Sequence, residues 1–383
     1  MKAFAATHRG LEKVLCRELL DMGINAPEPE TGGVGFDADD RQLYRANLGL
    51  RTASRVVVRV ATFRARTFPE LERHAKKIGW EELVSPGLAA HFRVTSKKSK
   101  LYHEDGIAER FATAVLGRTS GVSIVASREE TDAGERDVTA SPVSQRFMVR
   151  FHRDVCTVSV DSSGPLLHRR GYRIDAGKAP IRETLAAGLL LASGWTGKAP
   201  LADPFCGSGT IPIEAAMMAR RIAPGLGRRF GFEVWPRFDR AAYSAVTSEL
   251  KAQAIPPNGH PILGADRDAG AIEAAAANAG RAQVAADIEW RCDPLSALVP
   301  PAIPGWLVTN PPYGGRLGDR SDLRDLYAQL GHVLRRTCPR WQVAMISADR
   351  KLAQQVGLEW RELLATENGG LPIRFVTAEV PAR

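Results

Sequence analysis

The second half of the chain alternates short apolar segments with longer alanine-rich ones, and this alternation constrains the fold more than any other feature. Four of the apolar segments are Leu201–Phe205, Pro261–Asp266, Trp306–Thr309 and Val343–Ser347. Helical patterns follow them at Ile211–Arg220, Ala269–Ala279, Leu323–Leu334 and Arg350–Val356. Apolar strands that alternate with helices are typical of a doubly wound, mainly parallel α/β sheet. A last strand at Ile373–Val380, with no helix after it, is expected to pair antiparallel at the end of the sheet.

The first half of the chain has a different pattern. Stretches that alternate apolar and polar residues occur at Arg55–Val60, His91–Thr95 and Phe147–Phe151. Helical patterns lie between them at Phe68–Ile78 and Glu104–Leu116. Together they predict a small α+β sheet domain with one solvated face.

Two further segments connect these parts. Residues Thr119–Val143 predict a strand pair with a charged, mobile turn. Residues Asp161–Ala179 contain Gly164-Pro165 and Gly177 and predict a hinge between the two halves.

The composition limits the class of protein. A chain of 383 residues suits two or three domains, and a net charge of +9 with a pI of about 9.5 fits a polyanionic partner. A generally basic soluble protein would look the same, so the motifs must decide. No apolar run is long enough to span a membrane, and no signal peptide is expected. The five cysteines and eight histidines lack paired spacings, so we expect no metal site and a reducing, cytoplasmic location.

A glycine turn joins the first apolar strand to the helix after it, in the segment Asp203-Pro-Phe-Cys-Gly-Ser-Gly-Thr210. Gly207 and Gly209 allow positive φ and a close approach of the backbone to a ligand. The segment lacks Gly-x-Gly-x-x-Gly and Gly-Lys-[Ser/Thr], which disfavours a pyrophosphate ligand. The acidic Asp203 instead suits a cofactor with a cationic amino-acid part.

Acidic residues also end the next two strands. Asp266 is placed to accept hydrogen bonds from both ribose hydroxyls, and Asp293 to accept one from the adenine amino group. The alternative for Asp266 or Asp268 is a capping role at the next helix. Three acids at successive strand ends predict an adenosine site.

The most specific motif follows the fourth strand: Asn310-Pro-Pro-Tyr313. An exocyclic amine is a poor nucleophile because its lone pair is delocalised into the ring. The Asn310 side-chain carbonyl and the Pro311 backbone carbonyl are suitable acceptors for both N–H bonds, which frees the lone pair for in-line attack on a sulfonium methyl. Pro311 and Pro312 stiffen the backbone, and Tyr313 is predicted to stack on the target base. The alternative, a rigid strand-end turn, fits less well downstream of the glycine loop.

These residues resemble the class I amino methyltransferases of the Asn/Asp-Pro-Pro-Tyr type. With Leu166–Arg173, Ala179–Leu185, Asp203–Ala216 and Asn310–Leu317, the chain is similar to the THUMP-containing RNA guanine-N2 methyltransferases, nearest to those of bacterial 23S rRNA. The resemblance implies a Rossmann-like, seven-stranded, mostly parallel sheet with one antiparallel strand, preceded by an α+β ferredoxin-like and THUMP region. The implied domains are a ferredoxin-like segment (1–60), a THUMP domain (61–160), a hinge (161–180) and a methyltransferase domain (181–383).

The resemblance also implies the site and its ligands. The cofactor is S-adenosylmethionine, and the residues expected to bind it are Asp203, Pro204, Cys206, Gly207, Ser208, Gly209, Thr210, Glu214, Asp266, Arg267, Asp293, Asn310 and, more weakly, Arg182. The residues expected to contact RNA are Lys97, Lys98, Lys100, Arg169, Arg170, Arg173, Arg228 and Arg229. The last two lie in an insertion expected to flank the target base.

The implied activity is methylation of guanine N2 in 23S rRNA by a monomeric enzyme. A tRNA guanine-N2 methyltransferase shares the same layout and stays open as an alternative. A DNA amino-methyltransferase uses the same Asn-Pro-Pro-Tyr chemistry. A non-catalytic RNA-binding assembly factor would predict loss of Asn310 or of the glycine loop, and both are present.

Overall fold

The computed structural model describes residues 1–125, 138–174, 181–301, 303–313 and 320–382. Its first part contains β1 (Lys2–Thr7), α1 (Glu12–Asp21), β2 (Glu28–Glu30), β3 (Gly33–Asp37), α2 (Asp40–Gly49), β4 (Ala53–Arg64), α3 (Phe68–Ala75), β5 (Ala89–Lys97), α4 (Glu104–Leu116), β6 (Ser123–Ile124), β7 (Ser144–His152) and β8 (Val155–Asp161). These elements include every strand and helix predicted between residues 55 and 116 and the strand at 147–151.

One continuous sheet crosses the whole first part, in the order β2-β3-β1-β4-β8-β7-β5-β6 over the described residues. The alternating strands bury one face: Phe92 and Phe147 stack with centroids 5.2 Å apart, and Phe92 also packs on Phe111 of α4. Trp80 is fully buried among the same rings. The helices α3 and α4 therefore cover one face of β5, β7 and β8, and the other face carries the polar residues of the alternation.

The second part contains α5 (Glu183–Ser193), β9 (Leu201–Asp203), α6 (Thr210–Ala219), α7 (Arg240–Ala252), β10 (Ile262–Ala265), α8 (Ala269–Arg281), β11 (Ile288–Arg291), β12 (Trp306–Thr309), α9 (Arg320–Thr337), β13 (Gln342–Ser347), α10 (Arg350–Gln355), β14 (Arg361–Asn368) and β15 (Leu371–Glu379). Across the described ranges its sheet has seven strands in the order β11-β10-β9-β12-β13-β15-β14. Only β15 runs against the others, since it is antiparallel to both β13 and β14. The predicted fold class is confirmed.

The position of the last strand is a correction. The sequence placed Ile373–Val380 at the end of the sheet, but β15 lies between β13 and the unpredicted edge strand β14. The hairpin residues Gly369 and Gly370 both have positive φ, 58° and 81°, and join the two strands tightly. A strand with neighbours on both sides lies in the interior of the sheet, which fits the burial of Ile373, Phe375 and Val376.

The strand order places a crevice beside β9. From β9 the chain moves outward through β10 and β11, then returns to the other side of β9 to form β12 and β13. In open α/β sheets, ligands bind at the carboxyl ends of the strands where the order reverses in this way. Asp203 at the end of β9 and Asn310 directly after β12 lie at this edge.

Parts of four sequence predictions lie outside the described residues. They are the turn at 126–137, the hinge residues 175–180 with the start of Ala179–Leu185, and the Gly-Gly-Arg-Leu segment at 314–317. In the part of the chain that the structure describes, no helix is long and apolar enough to cross a membrane, and no cluster of three potential metal ligands occurs.

Candidate active site

The glycine loop has the backbone geometry that its sequence predicts. Gly207 has φ +51° and Gly209 has φ +85°, both in the left-handed region that favours glycine. A Cβ on Gly207 would meet no atom within 4 Å, so the backbone there faces open space. Gly209 caps α6, and Thr210 is the first helical residue. The free N–H groups of the first turn of α6 therefore border the crevice.

Asp203 joins the glycine loop to the Asn-Pro-Pro-Tyr motif. Its buried carboxylate accepts hydrogen bonds from Phe205 N (3.1 Å) and from the hydroxyl of Thr309 (2.6 Å), the residue before Asn310. The pKa of Asp203 is raised to about 7, chiefly by burial and also by the nearby Asp266. The two hydrogen bonds oppose this rise. A cation beside this carboxyl would favour its ionised form.

Asp266 holds the glycine loop and does not cap the next helix. Its carboxylate accepts hydrogen bonds from Gly207 N and Asp268 N, each 3.0 Å long. The capping role belongs to Asp268, which accepts from Gly270 N and Ala271 N at the start of α8. A carboxylate has about four acceptor positions, so Asp266 keeps capacity for two ribose hydroxyls. Arg267, which follows it, is exposed.

Asp293 lines a cleft next to the glycine loop. The cleft is formed by Pro204, Ala265, Asp293, Leu295 and Leu298. It combines apolar walls with one carboxylate acceptor, which suits a flat heterocycle that carries an amino group. The three acids thus lie along one edge of the sheet, as predicted.

The Asn310 side chain provides the most specific observation. Its Oδ1 atom is buried and has no hydrogen-bond partner among the residues that the structure describes. More than nine in ten buried polar groups have a partner, and an unpaired one costs about 1–3 kcal/mol. An acceptor left unpaired at the crevice is suited to bind a donor from a substrate.

Two side chains from elsewhere hold the motif in place. The Tyr327 hydroxyl of α9 donates to the Pro312 carbonyl (3.3 Å), and the Asn368 amide of β14 donates to the Tyr313 hydroxyl (2.9 Å). Tyr313 is only 1% exposed. The ring presents no open face, so the predicted stacking platform is wrong for this structure; Tyr313 packs in the core instead.

The sequence did not identify Thr309, Tyr327 or Asn368 as site residues. Thr309 and Tyr327 lie within segments whose apolar pattern was assigned to packing. Asn368 ends β14, a strand that was not predicted at all. Only its position in the folded sheet brings it to Tyr313.

Glu214 lies in a buried cluster of charged side chains. Its fully buried carboxylate lies 3.5 Å from Arg170 Nε and 3.9 Å from Arg51 Nη1, and it accepts a 3.2 Å hydrogen bond from Tyr172. Arg170 also donates to the Leu167 and Arg51 carbonyls, 2.6 Å each. The predicted RNA contact of Arg170 is therefore wrong, because its guanidinium is used inside the protein, and cofactor binding by Glu214 stays a prediction.

The insertion after α6 also differs from its prediction. Arg228 is 5% exposed and donates to the carbonyls of Ser163, Leu166 and Arg169. Gly225 N donates to Leu48 O, so the loop packs on the first part of the chain. The predicted RNA contact of Arg228 is wrong because its guanidinium is used inside the protein. Burial lowers its pKa to about 9.

The other predicted basic residues differ in exposure. Lys97, Lys98 and Lys100 are exposed, and Arg229 is exposed but paired with Glu233 at 2.6 Å. Arg173 is half-buried: it donates to Ile181 O and lies 3.3 Å from Glu183. Arg169 and Arg182 are partly buried, and Arg182 precedes α5 as its cap residue.

The remaining loop residues are enclosed. Cys206 is 7% exposed, and burial raises the pKa of its thiol well above the usual value, which fits packing and not nucleophilic chemistry. Ser208 is 5% exposed, and its carbonyl accepts a 3.1 Å hydrogen bond from Asn278 of α8. This bond fixes the loop from behind.

Comparison with known families gives two matches. Residues 170–373 match the "RMKL-like, methyltransferase domain", and residues 2–57 match the "RlmL ferredoxin-like domain". Among curated proteins, the "Putative RNA methyltransferase slr0064" of Synechocystis sp. is 35% identical over 98% of this chain and 96% of its own length. The "Ribosomal RNA large subunit methyltransferase K/L" of Shewanella baltica is 37% identical over 97% of this chain. The chain spans only 52% of that relative.

Solved structures agree over the full length. SMU.472, a "putative methyltransferase complexed with SAH", superposes with a TM-score of 0.85 at 29% identity and covers 100% of this chain and 98% of its own. A "predicted N6-adenine-specific DNA methylase" from Listeria monocytogenes superposes with a TM-score of 0.85 at 31% identity, over 98% of this chain and 95% of its own.

Proposed function

Since the chain belongs to the RMKL-like family of S-adenosylmethionine-dependent methyltransferases, we propose that it methylates the exocyclic N2 of a guanine in 23S rRNA. The observation that carries the proposal is the buried, unpartnered Oδ1 of Asn310. A guanine amino group has two N–H donors. Asn310 Oδ1 and the Pro311 carbonyl are the two acceptors, and they hold the nitrogen with its lone pair toward the crevice.

The residues around the crevice fit the cofactor. When bound, S-adenosylmethionine supplies a methyl group made electrophilic by its sulfonium. Asp266 would accept from the ribose hydroxyls, Asp293 and its cleft would hold the adenine, and the Asp203 carboxyl would lie near the cationic ammonium. The open backbone at Gly207 leaves room for close approach.

The reaction needs no general base of unusual pKa, and Asn310 does not act as a base. Its task is to bind and orient the amine, and the proton leaves to solvent after transfer. Tyr327 and Asn368 keep the motif rigid, so that little reorganisation is needed when the base arrives.

The nature of the nucleic acid is supported by the relatives. The names of the Synechocystis and Shewanella proteins specify RNA and large-subunit ribosomal RNA. We infer the guanine N2 position from the resemblance of the motifs. A tRNA guanine remains the nearest alternative, and the name of the Listeria structure favours DNA adenine as a second candidate, because Asn-Pro-Pro-Tyr recognises the amino group and not the polymer.

The domain roles follow as part of the proposal. We assign residues 1–60 to a ferredoxin-like segment, 61–160 to a THUMP domain that positions RNA, 161–180 to the hinge and 181–383 to methyl transfer. We propose that the enzyme is monomeric. An rRNA substrate would place it in the cytoplasm.

The test identifies the product. The protein is incubated with labelled S-adenosylmethionine and, separately, unmodified 23S rRNA, 16S rRNA, tRNA and duplex DNA, and the methylated nucleoside is identified by mass spectrometry. We expect N2-methylguanosine in 23S rRNA. Methylation of tRNA alone would favour the alternative, and N6-methyladenine or label confined to DNA would overturn the proposal.

A further inference from the structure

The sheet of the first part has one face that no helix of the described residues covers. Phe92 and Val94 of β5 point to α4 and are buried, whereas Arg93, Thr95 and Lys97 alternate with them and are exposed. The strand β7 behaves in the same way: Phe151 is buried, and Arg150 and His152 are exposed.

The strand register arranges the side chains of this face in three rows of four; eight of the twelve are exposed, three are half-buried and Ser159 is buried. Read across β4, β8, β7 and β5, the rows are Arg59–Ser159–Met148–Arg93, Thr62–Thr157–Arg150–Thr95 and Arg64–Val155–His152–Lys97. We call these twelve positions the basic sheet face. With strands about 4.8 Å apart and rows about 6.7 Å apart, it measures roughly 14 Å by 13 Å.

The charges on this face are of one sign. Five of the twelve positions are arginine or lysine and none is acidic. Arg59 is bound by Glu30 at 2.8 Å. Arg93, Arg150 and Lys97 have no ion pair or side-chain hydrogen bond within the described ranges, whereas Arg64 interacts electrostatically with Asp154 at the adjoining turn. No two of these cations stand directly opposite each other on neighbouring strands, but together they give the face a positive field that favours a polyanion.

The chemistry of the face fits a nucleic-acid backbone. Its middle row places three threonine hydroxyls beside Arg150, and arginine, lysine and threonine are the side chains that contact phosphate and sugar oxygens. The row with Arg64 and Lys97 ends at the turn that carries the exposed Lys98 and Lys100. An anionic membrane is disfavoured, because the most apolar exposed side chain of this face, Val155, is only 38% exposed and cannot anchor in a bilayer.

We propose that the basic sheet face is a docking surface for the RNA backbone, on the opposite side of the sheet from α3 and α4. This inference rests on the proposed function, since it supplies contacts that position the RNA whose base is methylated. The contacts carry no sequence information and set affinity and register.

The test compares two charge reversals of equal size. Arg93→Glu with Arg150→Glu changes the face, and Lys76→Glu with Lys77→Glu changes exposed lysines just after α3, which has no part in the face. Binding to an unmodified 23S rRNA transcript is measured by filter retention from about 0.05 to 0.2 M salt. For the face variant we expect at least tenfold weaker binding and a salt slope smaller by about 1.4–1.8, as two lost phosphate contacts predict. The control should stay within twofold of the wild type.

Equal weakening of the two variants would show that only net charge matters and would overturn the proposal, as would unchanged binding of the face variant. Thermal unfolding and S-adenosylhomocysteine affinity check that each variant is folded. If Arg93→Glu with Arg150→Glu unfolds the sheet, Arg93→Ser with Arg150→Ser replaces it. The binding of that variant is expected to weaken in the same direction. Methyl transfer by the wild type is measured in parallel. If no RNA is methylated, the proposed function is refuted. If an RNA is methylated but the face variant binds RNA as tightly as the wild type, only this inference is refuted.

Discussion

Around the crevice, some side chains are placed to contact ligands, and others hold those side chains in position. Within the described ranges Asn310 Oδ1 has no partner, whereas nearby residues of the same segment are held: Thr309 donates to Asp203, and Tyr313 accepts from Asn368. The sequence identified Asn310 and the three acids because their types and spacing are specific to the chemistry. It could not identify Asn368, since no local pattern links residues 55 positions apart.

The raised pKa of Asp203 predicts a proton-linked binding step. Burial places this pKa at about 7, so at pH 6.5 much of the carboxyl is protonated without ligand. A cationic ammonium beside it would lower the pKa, so binding should release a fraction of a proton, and affinity should rise with pH up to about 7. Calorimetric titration with S-adenosylhomocysteine at pH 6.5, in two buffers of different ionisation enthalpy, measures the release.

A control separates Asp203 from the second buried acid. Burial also raises the pKa of Glu183 to about 7. The variant Glu183→Gln should still release the proton if Asp203 is the source. Identical apparent enthalpies in the two buffers for the wild type would contradict the assignment of Asp203 to the ammonium.

The Asn368–Tyr313 hydrogen bond predicts a positioning effect. Asn368→Ala should lower kcat about tenfold through misplacement of the motif, with little change in KM for RNA or in cofactor affinity. Tyr313→Phe should do the same, and the double variant should lose no more than either single one. Asn368→Asp, which can accept from the Tyr313 hydroxyl, should recover activity. Additive losses, or a fall in cofactor affinity, would indicate a general structural defect instead.

At the scale of strands and helices, prediction succeeded where periodicity was strong. The strands of the α/β sheet from β9 to β13 lie where the apolar pattern placed them, as do α6, α8 and α9, whereas α7 was not predicted. The strand β14 was missed because its sequence, Arg-Glu-Leu-Leu-Ala-Thr-Glu-Asn, has exposed and half-buried residues typical of an edge and shows no clear alternation. Because β14 was not predicted, the prediction placed β15 at the sheet edge.

The glycine loop allows a matched test at this scale. A Cβ on Gly209 would lie 2.7 Å from Trp290 and 2.9 Å from Ala275, at φ +85°. Gly209→Ala should therefore destabilise the protein by about 1–3 kcal/mol and weaken cofactor binding. Gly280→Ala, in α8 with no atom within 4 Å of its Cβ, should stabilise by about 0.5–1 kcal/mol. Thermal unfolding of both variants checks the difference, and equal melting temperatures would contradict the loop geometry.

Buried charged side chains join the two sheets of the molecule. The carboxylate of Glu214, on α6, meets Arg51 from the first part and Arg170 from the connecting segment. Glu214 and Arg170 looked like ligand contacts in the sequence, because charge near a motif suggests binding, and Arg51 was not identified there. All three help to join the two parts, which only the packing of the parts could reveal.

Loss of that central carboxylate should be costly. Glu214→Leu leaves two buried arginines without their partner, so we expect a loss of about 3–5 kcal/mol in unfolding free energy. Chemical denaturation measures it. Glu249→Leu, which removes an exposed carboxylate paired with Arg45, is the control and should cost about 1 kcal/mol or less. A small effect at position 214 would mean that the parts are not held by this cluster.

The central claim is that the unpartnered oxygen of Asn310 binds the amine that receives the methyl group. The most direct test measures Asn310→Ala under single turnover with 23S rRNA, together with S-adenosylhomocysteine affinity. Because the acceptor acts on the substrate amine, the account predicts a rate at least about a hundredfold lower with cofactor affinity within a few-fold of the wild type. A variant that retains most of its rate, or that loses rate only in proportion to cofactor affinity, would contradict it.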